Sequence, residues 1–281
     1  MSRYKELLLH LSSYREVTSA AAIDQAVRAA ELLGARLSGL TFEIDMPVPG
    51  SPLASIILDI PGMVAAEQRR SAAGAREVVE ALSRIAAQRD VEADHVIERA
   101  LLANIPEVVT EYARLRDLTI MPSGEEESQQ YIAECVIFGS GRPVLLLPDP
   151  VGRELSFQKI AVAWDYSRMA ARALADAMPL LREAKVVRVV TIADEKYIDR
   201  PTRGKEHLEN HLMCHGIDPV IEDEHAAGRP IGEALAAYAC ARDIDLLVMG
   251  AYGHSRFRDF ILGGATKSIV AKPPLPVFLS H

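Results

Sequence analysis

The feature that most restricts the fold of this chain is an internal repeat. Lys159 to Ser167 (KIAVAWDYS) parallels Lys5 to Ser13 (KELLLHLSS), and Asp245 to Met249 (DLLVM) parallels Asp117 to Met121 (DLTIM). Leu275 to Leu279 (LPVFL) in turn parallels Arg142 to Leu146 (RPVLL). Three matches in one order mark a tandem duplication of a single structural plan. In this alignment Leu11 stands opposite Asp165, and Pro122 and Glu125 stand opposite Gly250 and Gly253.

Between the matched segments the pattern alternates. The first half reads as a buried strand from Lys5 to Leu11, a helix from Ala20 to Leu33 stopped by Gly34, and a second strand from Arg36 to Glu43. A Pro- and Gly-rich break at Met46 to Pro52 opens an apolar insertion. It is followed by a long helix from Met63 to Gln88, a strand from Val91 to Ile97, a helix from Pro106 to Arg116 and a strand from Asp117 to Pro122. A helix through Tyr131 to Phe138 and the strand Pro143 to Leu147 complete the copy. Such alternation predicts a parallel sheet covered on both faces. The expected class is α/β, with two tandem doubly wound domains, each a roughly five-stranded parallel sheet with helices on both faces. Pro148, Pro150 and Gly152 interrupt the pattern and set the expected domains at 1–149 and 156–281.

With 281 residues, 49% of them hydrophobic and 25% charged, each half has enough apolar material for its own core. A net charge of -8 argues against nucleic acid and against anionic membrane surfaces as partners. No apolar run approaches the roughly 20 residues that span a bilayer. The N-terminal apolar stretch is short, is broken by His10 and lacks a small-residue cleavage site, so it reads as a strand. Cys135, Cys214 and Cys240 form no disulfide framework, and a cytoplasmic setting is expected.

The segment from Leu246 to Lys272 carries the most chemistry. An apolar strand ends at Met249, Gly250 and Gly253 follow, and a Gly263-Gly264 pair precedes a helical pattern. Glycines let backbone approach a ligand, and the N-terminus of a helix attracts anions. Thr266 rather than glycine precedes Lys267-Ser268, so there is no G-x4-G-K-[ST], and there is no G-x-G-x-x-G. The spacing is instead G-x2-G-x9-G, which resembles the nucleotide signature of universal stress proteins. Gly264 stands where that family places Ser or Thr, and Thr266 matches a second hydroxyl that the family sets at the phosphates.

Both halves resemble universal stress protein domains, and only the second carries the motif. The resemblance implies ATP or a related adenine nucleotide bound by Ala163, Trp164, Asp165, Ile192, Met249, Gly250, Gly253, Gly263, Gly264, Ala265 and Thr266. Asp165 would accept hydrogen bonds from the adenosine, with helix capping as the alternative. Ala163 occupies a small, proline-like position of the family, and Ile192 and Met249 would line the adenine pocket or serve as ordinary core. Trp164 would restrict or stack on the base, or fill core. Gly264, Ala265 and Thr266 would offer N–H groups and a hydroxyl to phosphates, supplemented by Arg256, Arg258 and Lys267 or with those cations simply solvated. In the first half only twelve residues separate Met121 from Ala133, against seventeen from Met249 to Thr266, and Glu125-Glu126-Glu127 would repel phosphate. That half is expected to have the fold without the nucleotide site.

A second constellation is His207, His211, Cys214 and His215. On a helix these positions fall within about 100° of one another, and imidazole and thiolate are zinc ligands. Two or three would bind a zinc ion with help from His225 or an acid elsewhere; the alternative is a half-buried helix face whose histidines meet solvent.

No G-x-S-x-G or H-E-x-x-H is present. The leading expectation is a stress-response or regulatory protein that binds nucleotide without catalysis. One alternative is a slow ATPase or phosphotransferase, for which Asp259 is the only acid in the loop. Another is a nucleotide-free interaction or metal-sensing protein. Two similar domains imply an intramolecular pair, and a homodimer of the chain stays open.

Overall fold

A computed structural model describes residues 4–47, 59–124, 127–149, 153–193, 203–251 and 264–281. The strands are β1 (Glu6–His10), β2 (Arg36–Ile44), β3 (Ala93–Ala100), β4 (Leu118–Ser123), β5 (Val144–Pro148), β6 (Lys159–Ala163), β7 (Val186–Ala193), β8 (Pro219–His225), β9 (Leu246–Gly250) and β10 (Val277–Ser280). The helices are α1 (Ala20–Leu33), α2 (Ile60–Gln88), α3 (Ile105–Arg114), α4 (Glu127–Gly139), α5 (Arg168–Leu181), α6 (Arg203–Cys214), α7 (Ile231–Ala241) and α8 (Gly264–Ala271).

All ten strands form one sheet in the order β3-β2-β1-β4-β5-β10-β9-β6-β7-β8. Within each half the pairing is parallel, as alternation with helices requires. The halves meet at one antiparallel pair, β5 with β10, where Leu145 faces Phe278. The chain is therefore two doubly wound units fused edge to edge, and the fusion pairs one edge of each unit.

Helices α1, α2, α5 and α6 cover one face around Leu7, Leu9, Ile160 and Val162. Helices α3, α4, α7 and α8 cover the other around Leu8, Ala161, Leu247 and Leu279. Strand β1 is buried on both faces, which explains its continuous apolar run, and each fully buried leucine there contributes about 2 kcal/mol. Ser19 starts α1 by accepting from the Ala22 N–H, and Gly34 ends it at φ 58°, a left-handed conformation suited to glycine. Helix α2 begins at Ile60 rather than Met63, where Asp59 Oδ1 accepts from the Gly62 N–H at 3.0 Å. Helix α4 begins at Glu127, four residues ahead of the expected Tyr131.

The structure corrects the alignment of the two copies by one residue. Asp117 Oδ2 accepts from the backbone N–H groups of Lys5 at 2.7 Å and Glu6 at 3.1 Å. Asp245 Oδ2 accepts in the same manner from Gln158 at 3.0 Å and Lys159 at 2.8 Å. Glu6 thus corresponds to Lys159, and pairing agrees, with Leu7 beside Leu118 and Ile160 beside Leu246. The counterpart of Asp165 is therefore Ser12 rather than Leu11, that of Ala163 is His10, and that of Trp164 is Leu11. A one-residue slip exchanges every side chain between faces, but a strand that is apolar on both faces carries no pattern to reveal it.

Candidate functional site

In the second half the chain proceeds from β6 to β7 and β8 on one side, then returns to β9 and β10 on the other. The reversal between β6 and β9 opens a crevice at their carboxyl ends, the place where doubly wound sheets bind ligands. Ala163 lies beside Met249 across that gap and beside Val190 on the other side. Ala163, Met249 and Ile192 all belong to the core cluster beneath α7 and α8, the latter two buried.

Asp165 follows β6 directly. Its Oδ1 accepts from the Ser167 N–H at 2.9 Å, and the Ser167 hydroxyl accepts from the Ala170 N–H at 3.1 Å to cap α5. Between them Tyr166 adopts φ 62°. The carboxylate thus holds a tight turn beyond the end of β6, while the cap of α5 itself is Ser167.

Gly250 closes β9 in close contact with the start of α5. A Cβ there would lie 2.5 Å from Ala170 N and 2.5 Å from Met169 C, so the first glycine of the motif is demanded by helix packing. Gly264 opens α8 with open space where a Cβ would stand, and Thr266 in the same first turn is buried. The first-turn N–H groups of a helix have no intrahelical partner, and Gly264 and Ala265 lie in that turn of α8. Gly253 and Gly263, with Arg256, Arg258 and Asp259, lie outside the described residues. Lys267 on α8 is exposed and reaches the field of Glu134 on α4, whose carboxyl is pushed up by burial against the pull of that ammonium.

Trp164 does not join this group. Strand alternation turns it to the opposite face, where it packs against the core of Ile160, Val162 and α5, with its ring centroid 5.8 Å from that of Tyr166. Its indole Nε1 is buried without a hydrogen-bond partner among the described residues. A role for Trp164 on the base is accordingly replaced by core filling.

The zinc expectation is corrected too. Leu208 and Leu212 take the buried side of α6, which leaves His207, His211 and Cys214 in solvent. The His211 and His215 rings stack edge to face at 4.8 Å, while Arg182 Nη2 sits 2.7 Å from His215 Nδ1, putting a fixed cation where a metal ion would need a free lone pair. Among the described residues no group of three or more His, Cys, Asp or Glu side chains is placed to hold a metal.

Two residues of the first half hold the positions equivalent to Ala163 and Ile192. His10 takes the place of Ala163, and because Leu40 pairs with His10 as Val190 pairs with Ala163, Phe42 takes the place of Ile192. The available signal was a lone histidine interrupting an otherwise apolar strand.

Comparison with known proteins agrees with this architecture. Residues 156–281 match the model of the universal stress protein family. A universal stress protein of Synechocystis sp. is 44% identical over 45 residues, 16% of this chain and 16% of that protein. The crystal structure of a universal stress protein from Archaeoglobus fulgidus DSM 4304 superposes with a TM-score of 0.69 at 15% identity, covering 98% of both chains. A Pseudomonas aeruginosa PAO1 protein of unknown function does so with a TM-score of 0.59 at 12% identity, covering 99% of this chain and 92% of that one. The fold is that of a tandem doubly wound α/β protein. The family match lies in residues 156–281, the second of the two units. Among the described residues no helix is long and apolar enough to cross a membrane.

Proposed function

We propose that residues 156–281 bind ATP or a related adenine nucleotide, that residues 1–149 form a second domain without a nucleotide site, and that the protein is a stress-response or regulatory binder without catalysis. The observation that carries this reading is the gathering of Ala163, Asp165, Ile192 and Met249 at the β6–β9 reversal. In this reading the small Ala163, with Ile192 and Met249 beside it, would face the base, and Asp165 would offer a carboxylate oxygen to the nucleoside. The start of α8, with Thr266, supplies N–H groups for phosphate. Pairing of β5 with β10 joins the two domains within one chain. Free Cys135, Cys214 and Cys240 fit a cytoplasmic setting.

The test is calorimetric titration of the full chain with ATP, alongside steady-state measurement of phosphate release. Saturable binding at one site per chain is expected, with turnover at background. A flat titration would overturn nucleotide binding, and turnover above background would replace the binder with an ATPase.

A further inference from the structure

The first half has its own cavity at the equivalent crevice. It measures about 250 Å³ and is lined by His10, Phe42, Ile44, Ile105, Tyr131 and Ile132 among others. We propose that this cavity is a binding site for an uncharged, mainly apolar small molecule that carries one hydrogen-bonding group and docks that group on the imidazole of His10.

Three observations lead there. The cavity lies below the roughly 300–1,000 Å³ of drug-sized pockets, so it suits a molecule of about one ring. Its walls are chiefly aromatic and aliphatic, which favours an apolar body. His10 is 6% exposed, and neither ring nitrogen has a hydrogen-bond partner among the described residues; its ring contact is Phe42, at 6.3 Å. A ligand polar group brought to that depth would cost about 1–3 kcal/mol if left without a partner, and the His10 imidazole at the cavity wall supplies one.

The charge of the ligand follows from the same residue. Burial lowers the His10 pKa to about 4, so at neutral pH the imidazole offers one donor and one acceptor and no charge. A carboxylate brought to that depth would lose its hydration without a buried cation to meet it. Arg15 also borders the cavity, but it is exposed, with its guanidinium 6.0 Å from the Tyr14 ring.

Phosphate is disfavoured as well. Ser12 stands where the second half has Asp165, and its hydroxyl is already committed to the Glu16 carbonyl at 2.6 Å. Helix α4 carries Glu127 in its first turn, and that negative charge opposes phosphate. The two crevices therefore share a position in the fold and differ in the chemistry they accept.

The experiment is an NMR titration of the full chain, labelled with 15N at histidine, at neutral pH. Four uncharged probes (benzyl alcohol, benzamide, phenol and indole) are compared with benzoate and benzylamine. At least one uncharged probe is expected to shift the His10 ring signals saturably, and the two charged probes are expected to bind at least fivefold more weakly. Ligand-observed titration of His10→Phe, which keeps a ring of similar size, should show at least a fivefold loss. Leu102→Trp, at an exposed residue on the cavity border, should block binding without touching the core. The proposal is overturned if none of the four uncharged probes moves the His10 signals, if benzoate or benzylamine binds as well, or if His10→Phe binds unchanged. ATP binding to the second half is read separately, so either result stands without the other.

Discussion

The two halves of the sheet share strand order, pairing and the aspartate that clamps the start of the central strand, yet they part at the carboxyl end of that strand. In the second half the small Ala163 lies with the buried, aliphatic Ile192 in one core cluster at the end of the strand, and only two positions separate Asp165 from the capping Ser167. In the first half His10 and Phe42 occupy the same places, and seven positions separate Ser12 from the capping Ser19. The extra residues fold back on themselves, with the Ser12 N–H donating to Thr18 Oγ1 at 2.8 Å and the Thr18 N–H to the Ser12 carbonyl at 3.0 Å. The two halves thus share the parts that hold the sheet together and differ in the side chains at the end of the central strand.

The sharpest way to break this comparison is at Gly250. Its counterpart in the first half is Pro122, so that half shows no matching need for a glycine. Gly250→Val would force the start of α5 away from β9, and a loss on the order of 3 kcal/mol is expected from such overpacking. The denaturant midpoint measures it; an unchanged midpoint would show that the glycine is kept for a ligand alone.

Next is the acid response of the first half. His10 has a folded-state pKa of about 4, below the ordinary 6.5, so the unfolded chain binds the extra proton first. Its contribution is fully present above pH 6.5 and is lost as pH falls through about 4, a change of roughly 3 kcal/mol at the limit. Stability measured across that window should fall for the native chain and stay flatter in His10→Phe; parallel curves would remove His10 as the cause.

A smaller effect is expected from Asp165→Ala, which should weaken ATP by about tenfold, or ~1.4 kcal/mol. The paired change Ser12→Ala in the first half should leave ATP binding alone, as calorimetry would show. Equal losses from both would mean that the halves do not differ in function. Least of all, Ser19→Ala and Ser167→Ala should each cost about 1 kcal/mol through loss of an N-cap. Matching losses in thermal unfolding would support the view that the caps were retained in both copies.

Much of the fold is legible in the sequence. Long apolar runs such as Leu7-Leu8-Leu9 and Leu246-Leu247-Val248 announce doubly buried strands, and the helices between them force parallel pairing. The site was legible in part. Met249 pairs with Ala163 and Asp165 follows two residues on, whereas Trp164 packs on the opposite face and His10, ending an apolar run, carries no motif that marks it. The histidines of α6 share a helix face as their spacing requires, but Leu208 and Leu212 claim the buried side and Arg182 meets His215.

The alternation of strands and helices, the internal repeat and the position of the glycine motif are written in the residue order, because apolar periodicity and glycine spacing act locally along the chain. Tertiary structure alone decided which residues share a crevice. That choice rests on the one-residue register between the copies, set by Asp117 and Asp245 gripping backbone N–H groups far away in sequence. In strands buried on both faces, no local pattern of polarity records which way a side chain points.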